Sequence, residues 1–353
     1  MRPLFLLFAA ALAACERPPK PPEPAPVEVT EVAAADGFGA EGAAVAAVAF
    51  WSHPTLSFQS LVIAAGDDGL QALNIETGDA VWSGGPAGAK QVEVFYEGGA
   101  GYLLASDGVA YRAAAIDNAT RALSPLAVAN AAAGAGFCVG PRGGRTALYE
   151  IGAAGDVAWR AIAVAGSNLT LGAPQKVAGA GRVRFCHVDA RDGGLITIAA
   201  DGAIRRIDAA TGEAFGLAIA DGAIDSTAVV LKTREDGGGG GQIAVLDGAA
   251  GIIRVFDLAD GRPIGAVKVK STFDLDAVAS AKAIAAGYGN YGAVYRDGAL
   301  AVLAEGGGAP IRLVPWNGVL SALAQPLGET VDPRAPNPIV EEEDILSIEF
   351  KEP

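Results

Sequence analysis

Histidine occurs twice and methionine once in 353 residues, which leaves little for imidazole catalysis or soft-metal binding. Lysine and arginine total 26 against 40 aspartates and glutamates. The resulting net charge of −14 argues against a nucleic-acid partner, whose affinity comes from neutralising phosphates with Lys and Arg. Part of that charge is local, because Glu341-Glu342-Glu343-Asp344 is one acidic run of the kind found in solvated tails. Cysteine is also scarce, at three residues. His187, in the apolar stretch Phe185-Cys186-His187-Val188, has no Cys-x-x-Cys or His-x-x-x-His partner and reads as structural rather than as a metal ligand. No run is long enough to cross a bilayer, which takes about 20 apolar residues.

Short apolar runs separated by glycine turns are abundant. The segment from Leu61 to Trp82 reads strand, turn, strand, turn, strand: Leu61 to Ala65 is apolar, Asp67-Asp68-Gly69 is a turn, and Leu70 to Ile75 alternates. Thr77-Gly78 then leads into Ala80-Val81-Trp82. The phrase returns at Tyr102 to Gly108, Leu195 to Gly212 and Ile243 to Gly261, with weaker copies at Ala147 to Trp159 and Gly292 to Leu303. Self-similarity at a spacing of roughly 20–50 residues is the signature of solenoids and propellers. One such sheet cannot bury both its faces, so the expectation is an all-β, six-bladed β-propeller with about four strands in each blade. The 48 glycines fit this, since they fall at turns between apolar runs. Ala43 to Phe50 has the small apolar character of an inner wall. Val27 to Val32 is expected to close the ring on the last blade, and Gly237 to Gly241 reads as a loose hairpin tip, since no Gly-Lys-Ser/Thr follows to make a phosphate loop.

The N-terminus carries a different signal. Arg2 precedes the apolar run Leu4 to Leu12, and Leu12-Ala13-Ala14-Cys15 resembles a bacterial lipobox, which implies lipidation of Cys15 and cleavage before it. The proline-rich stretch from Glu16 to Pro26 is a stiff spacer. The expected organisation is a signal peptide over 1–14, a linker over 15–30, a propeller over 31–323 and a proline-rich acidic tail over 324–353, with Ile345 to Phe350 as a possible edge strand. The expected location is the bacterial outer membrane or periplasm, with the membrane as a partner through the lipid. Export leaves Cys138 and Cys186 open to two readings, a disulfide or two buried thiols.

Several phrases together resemble the calcium-dependent β-propeller phytases. Phe50-Trp51-Ser52-His53-Pro54, then Ser60-Leu61-Val62-Ile63 and Gly69-Leu70-Gln71-Ala72-Leu73, are similar to that family's D-D-P-A-I-W-V-H-P, S-L-V-I and G-L-x-V-Y. Ala115-Ile116-Asp117, Leu123-Ser124-Pro125-Leu126 and Gly136-Phe137-Cys138 follow in the family's order. Asn290 to Gly298 and Arg312-Leu313-Val314-Pro315-Trp316 resemble its P-Y-G-L-F-V-V-Q-D-G and K-L-V-P-W.

The resemblance implies bound calcium and phosphate release from phytate, but the acids that such chemistry needs are largely replaced. The paired aspartates fall on Ala46 and Ala47, and a glutamate falls near Phe185. Lys90-Gln91-Val92-Glu93 keeps one carboxylate and adds a positive charge, Asp225 survives ahead of Thr227, and Asp276 survives ahead of Ala279. The phosphate-gripping lysine appears as Ala153, and an arginine is missing at Ser106-Asp107-Gly108. Calcium takes about six to eight oxygens. The expectation is therefore no cofactor, with a Ca²⁺ held by Glu93, Asp225 and Asp276 as the alternative if the family's hydrolysis persists. The leading function is a lipoprotein binding or scaffold module whose small-molecule or protein ligand the sequence does not name. A third reading comes from Leu73 to Trp82, which also resembles a quinoprotein-type blade of envelope assembly lipoproteins.

Overall fold

The computed structural model describes residues 28–39, 44–208, 211–306 and 308–336. Cys15, the acidic run at 341–344 and the candidate strand at 345–350 lie outside the described residues. The N-terminal strands are β1 (Val29–Ala33) and β2 (Asp36–Phe38). Successive antiparallel meanders follow. The first is β3 (Val45–Trp51), β4 (Leu61–Gly66), β5 (Gly69–Asn74) and β6 (Ala80–Gly84). The second is β7 (Gln91–Glu97), β8 (Ala100–Ser106), β9 (Tyr111–Ile116) and β10 (Leu123–Ala129). Next come β11 (Gly136–Arg142), β12 (Arg145–Ile151), β13 (Val157–Ala165) and β14 (Asn168–Leu171), with the short β15 (Gln175–Lys176) paired on β13. The chain continues through β16 (Val183–Val188), β17 (Leu195–Ala199), β18 (Ala203–Ile207) and β19 (Ala214–Ile219). After these come β20 (Ser226–Thr233), β21 (Gly239–Asp247), β22 (Ile252–Asp257) and β23 (Pro263–Lys270). Finally β24 (Ala281–Gly287), β25 (Ala299–Ala304) and β26 (Ile311–Pro315) lead into a single short helix, α1 (Trp316–Ala322), and β27 (Glu329–Thr330).

This is a β-propeller. The first strand of each meander packs on the first strand of the next, β3 on β7, β7 on β11, β11 on β16, β16 on β20, β20 on β24 and β24 back on β3. The strands form five hydrogen-bonded sheets among the described residues, because β10 pairs in parallel with β14 and joins two meanders into one.

The turn chemistry explains why the sequence phrase repeats. Asn74 Oδ1 accepts the amides of Glu76 and Thr77, and the Gly78 amide donates to the Asn74 carbonyl at 2.8 Å. Gly212 donates to the Asp208 carbonyl and Gly261 to that of Asp257 in the same way. The closing glycines have φ of 72°, 73° and 72°, a left-handed conformation that glycine adopts at no steric cost. Arg121 fills the equivalent place after Asp117 with φ of 62°.

Each gap between neighbouring meanders has its own apolar core. Trp51, Ile63 and Leu70 meet Val92 and Leu103 in one, and Val230, Leu246 and Val255 meet Leu300 and Val302 in another. Fully burying one such side chain contributes about 1.5–3 kcal/mol. The alternation of strand faces commits both sides of each sheet to a core, which no isolated sheet achieves.

Three expectations change. Ring closure uses β2, which pairs antiparallel with β26, whereas β1 lies parallel on β23 of the preceding meander; Val32 is buried and fixes β1 there. The glycine run is not a loose tip, since Gly239, Gly240 and Gly241 pair with Thr233, Lys232 and Leu231. A Cβ on Gly241, at φ of 134°, would sit 2.1 Å from the Val230 carbonyl, so the close approach itself requires glycine. The domain also does not end at Leu323. β27 pairs with β20, and Val331 is buried against Ile243 and Phe256.

Candidate functional site

The first strands of the meanders enclose a central channel of about 590 Å³. Each meander with an even number of strands returns the chain to the end where it began, so all the first strands start at the same mouth. Residues at their beginnings include Ala46, Lys90, Gln91, Arg184, Asp225 and Lys282. Their far ends meet Tyr288, Pro333, Arg334 and Pro336.

Ala46, Ala47, Glu93, Phe185, Asp225 and Thr227 all line this channel. Asp276 does not; it is exposed on the connection from β23 to β24. Asp225 is at the rim, where its Oδ2 accepts the Gly248 amide at 2.8 Å. Among the described residues no three His, Cys, Asp or Glu side chains gather closely enough to hold one ion. Glu93, Asp225 and Asp276 therefore do not form the shared calcium site that the alternative reading required, because they occupy the interior, the rim and an outer loop. Ala46, Ala47 and Phe185 bring no side-chain oxygen to the channel wall.

The interior is close to uncharged at neutral pH. The wall around Glu93 raises its carboxyl to about 8 by desolvation, so it is mostly protonated at pH 7. Burial lowers His187 to about 4, and its Nε2 shares a hydrogen bond of 2.9 Å with Thr227 Oγ1. His187 is thus a neutral, satisfied wall residue. Cys138 on β11 and Cys186 on β16 are joined by a disulfide with Cα atoms 5.7 Å apart, a separation inside the usual range. The bridge ties two adjacent wall strands. Gln91 makes a second tie, its Oε1 accepting the Phe137 amide at 3.1 Å and its Nε2 donating to the Phe137 carbonyl.

The two mouths differ in how their cations are used. Lys90, Arg184 and Lys282 are exposed, and among the described residues none is in an ion pair. The Arg184 guanidinium lies 5.1 Å from the Phe185 ring. At the far mouth, Arg334 donates to the Ser52 carbonyl at 2.9 Å, to the Gly99 carbonyl and to Asn118 Oδ1 at 3.3 Å, and stacks 4.9 Å from the Tyr96 ring. Just after β16, buried Asp189 takes three bonds from Arg191, one from its backbone amide at 3.1 Å and two from its side chain at 2.8 and 2.7 Å, and one from Arg206 at 3.1 Å. Burial by itself would raise the Asp189 carboxyl, but the hydrogen bonds and charges of Arg191 and Arg206 outweigh it and hold the group below the usual range. Sequence reading noticed Lys90 but missed Arg184, Lys282 and Arg334. The available signal was positional, since Lys90, Arg184 and Lys282 stand where an inner strand begins.

No family model matches the chain, and no characterised protein matches it in sequence. Among solved structures it is similar to the WD40 repeats of RRP9, at 13% identity over 82% of this chain and 84% of that one with a TM-score of 0.45. It is similar also to U3-55K, at 13% identity over 78% and 79% with a TM-score of 0.46. A structural-genomics protein of unknown function from Bacteroides thetaiotaomicron aligns at 13% identity over 82% and 75% with a TM-score of 0.48. At this level of superposition nothing is transferred from them, and the propeller is read from the strand pairing. No helix among the described residues is long and apolar enough to cross a membrane.

Proposed function

We propose that the chain is a six-bladed, phytase-like β-propeller lipoprotein of the bacterial envelope that binds a ligand in its central channel and lacks phytase chemistry. The six blades are the meanders headed by β3, β7, β11, β16, β20 and β24, with two of them sharing a sheet through β10 and β14. The observation that carries the reading is the channel lining. Positions matching the family's ion-binding acids face one cavity, yet they hold Ala46, Ala47, Phe185 and Thr227. A cavity of about 590 Å³ whose wall mixes apolar and polar surface is within the size range of small-molecule sites, about 300–1,000 Å³. Cys15 and the proline spacer place the propeller on a tether at the membrane.

The test is phosphate release from phytate with millimolar Ca²⁺ at neutral and mildly alkaline pH. The expected result is no calcium-dependent turnover, since losing even one group that stabilises the transition state costs a factor of about 10²–10³. Robust release abolished by Glu93→Ala with Asp225→Ala would overturn the reading and make the chain a 3-phytase. The tether is checked by Cys15→Ser, which should move the protein from membrane to soluble fractions; unlipidated wild type would remove that part of the proposal.

A further inference from the structure

We infer that the channel takes a small organic anion with an apolar body and a single charged head, the head held at the open mouth by Lys90, Arg184 and Lys282. This deepens the binding reading above and rests on it.

The charge pattern at the mouth points to an anion. Lys90 precedes β7, Arg184 lies on β16 and Lys282 on β24, so the three cations come from alternate strands of the channel wall. The positions between them supply Ala46, Gly136 and Asp225. Three exposed cations around one opening of a chain with net charge −14 make a local field of opposite sign to the rest of the molecule, and such a mouth concentrates anions. Asp225 is the acid among these rim residues, and one of its oxygens is already bonded to the Gly248 amide. Structural cations elsewhere in the molecule have acceptors, as Arg334, Arg191 and Arg206 do. Among the described residues, those at the mouth are in no ion pair.

The interior specifies the rest of the ligand. Ala47, Val94, Val139, Phe185, Val188 and Ala285 are half-buried apolar residues of the lining. Glu93, protonated at neutral pH, offers a hydroxyl donor without a charge, and His187 is neutral and engaged with Thr227. A body carrying further charges would lose their hydration against this wall without recovering it. A polyanion such as phytate is therefore a poor fit, and a molecule with one anionic head and an uncharged remainder is a good one. Pro333, Arg334 and Pro336 line the far end, and the Arg334 guanidinium is spent on Ser52, Gly99 and Asn118. The ligand enters and leaves past the three cations, with its body inward.

The probe is 8-anilinonaphthalene-1-sulfonate, which has an aromatic body and one anionic head, titrated into the full chain carrying Cys15→Ser so that no detergent is needed. Saturable one-site fluorescence is expected, displaced by decanoate but not by inorganic phosphate or by phytate. Arg184→Glu with Lys282→Glu should weaken the affinity at least tenfold while leaving the melting midpoint unchanged. If that pair of changes disturbs folding, the single exposed changes Lys90→Ala and Lys282→Ala serve instead, each expected to weaken binding severalfold. Saturable binding that ignores all of these substitutions, or that phytate displaces, would overturn the ligand class while leaving a binding channel. Absence of saturable binding by every one of these probes would overturn the channel-binding reading itself.

Discussion

The two mouths of the channel present the same kinds of side chain to opposite effect. At the far mouth Arg334, Arg191 and Lys232 are bound to carbonyls and carboxylates of neighbouring segments; Lys232 Nζ donates to the Asp297 carbonyl at 2.8 Å, and burial lowers its ammonium to about 8. At the open mouth Lys90, Arg184 and Lys282 are solvated and outside any ion pair among the described residues. A paired cation in a protein interior is part of the fold, because removing either partner strands the other. A solvated cation at a cavity rim adds little to stability, so its worth lies in what approaches from solution. The comparison separates structural charge from recognition charge within one channel.

The largest effect is expected at the far end. Asp189→Ala removes the acceptor of three bonds from Arg191 and one from Arg206 and leaves the buried Arg191 guanidinium uncompensated. The expected loss is about 3–5 kcal/mol of unfolding free energy, measured by urea denaturation. A loss below about 1 kcal/mol would mean that this charge is no more structural than those at the rim.

A smaller, pH-dependent effect belongs to the channel interior. The Glu93 carboxyl sits at about 8 in the folded protein against an ordinary value of 4.5, so the folded state binds the extra proton between those values. Stability should therefore fall as pH rises through that window and level off above 8, at up to about 1.4 kcal/mol per pH unit for one proton. His187 acts in the opposite sense, because its folded value of about 4 lies below 6.5 and stability is lost as pH falls between them. The difference between wild type and Glu93→Gln in urea unfolding from pH 6.5 to 8 isolates Glu93, because Lys232 and His187 contribute equally to both. Glu93→Gln should flatten the slope there, and parallel slopes in wild type and variant would show that the channel does not hold the carboxyl protonated.

How much of this was legible in the sequence depends on how local each signal is. The propeller was legible because Asn74, Asp208 and Asp257 each initiate a turn that closes on a left-handed glycine, a device that repeats in the letters. Ala46, Glu93, Phe185 and Asp225 line the channel because each lies on or just before the first strand of a meander. Ring closure was not legible, because β2 is only Asp36-Gly37-Phe38, too short for a period of two to show. The strand at Gly239 to Gly241 was hidden because glycine carries no face to alternate. Arg334 sits in a proline-rich stretch that reads as a tail, and its role exists only through contacts with residues 235 and 282 positions away. Lys282 and Arg184 look like any solvated residue at the start of a strand until the ring brings them to one opening.

The central claim, that charge is structural at one mouth and free for recognition at the other, is tested most directly by pairing Arg334→Ala with Lys282→Ala and measuring both unfolding free energy and 8-anilinonaphthalene-1-sulfonate affinity. The account predicts that Arg334→Ala loses about 1–3 kcal/mol of stability from its hydrogen bonds and ring contacts. Lys282→Ala should stay within about 0.5 kcal/mol of wild type while weakening the probe severalfold. Equal destabilisation by the two changes, with probe affinity unmoved by Lys282→Ala, would contradict it.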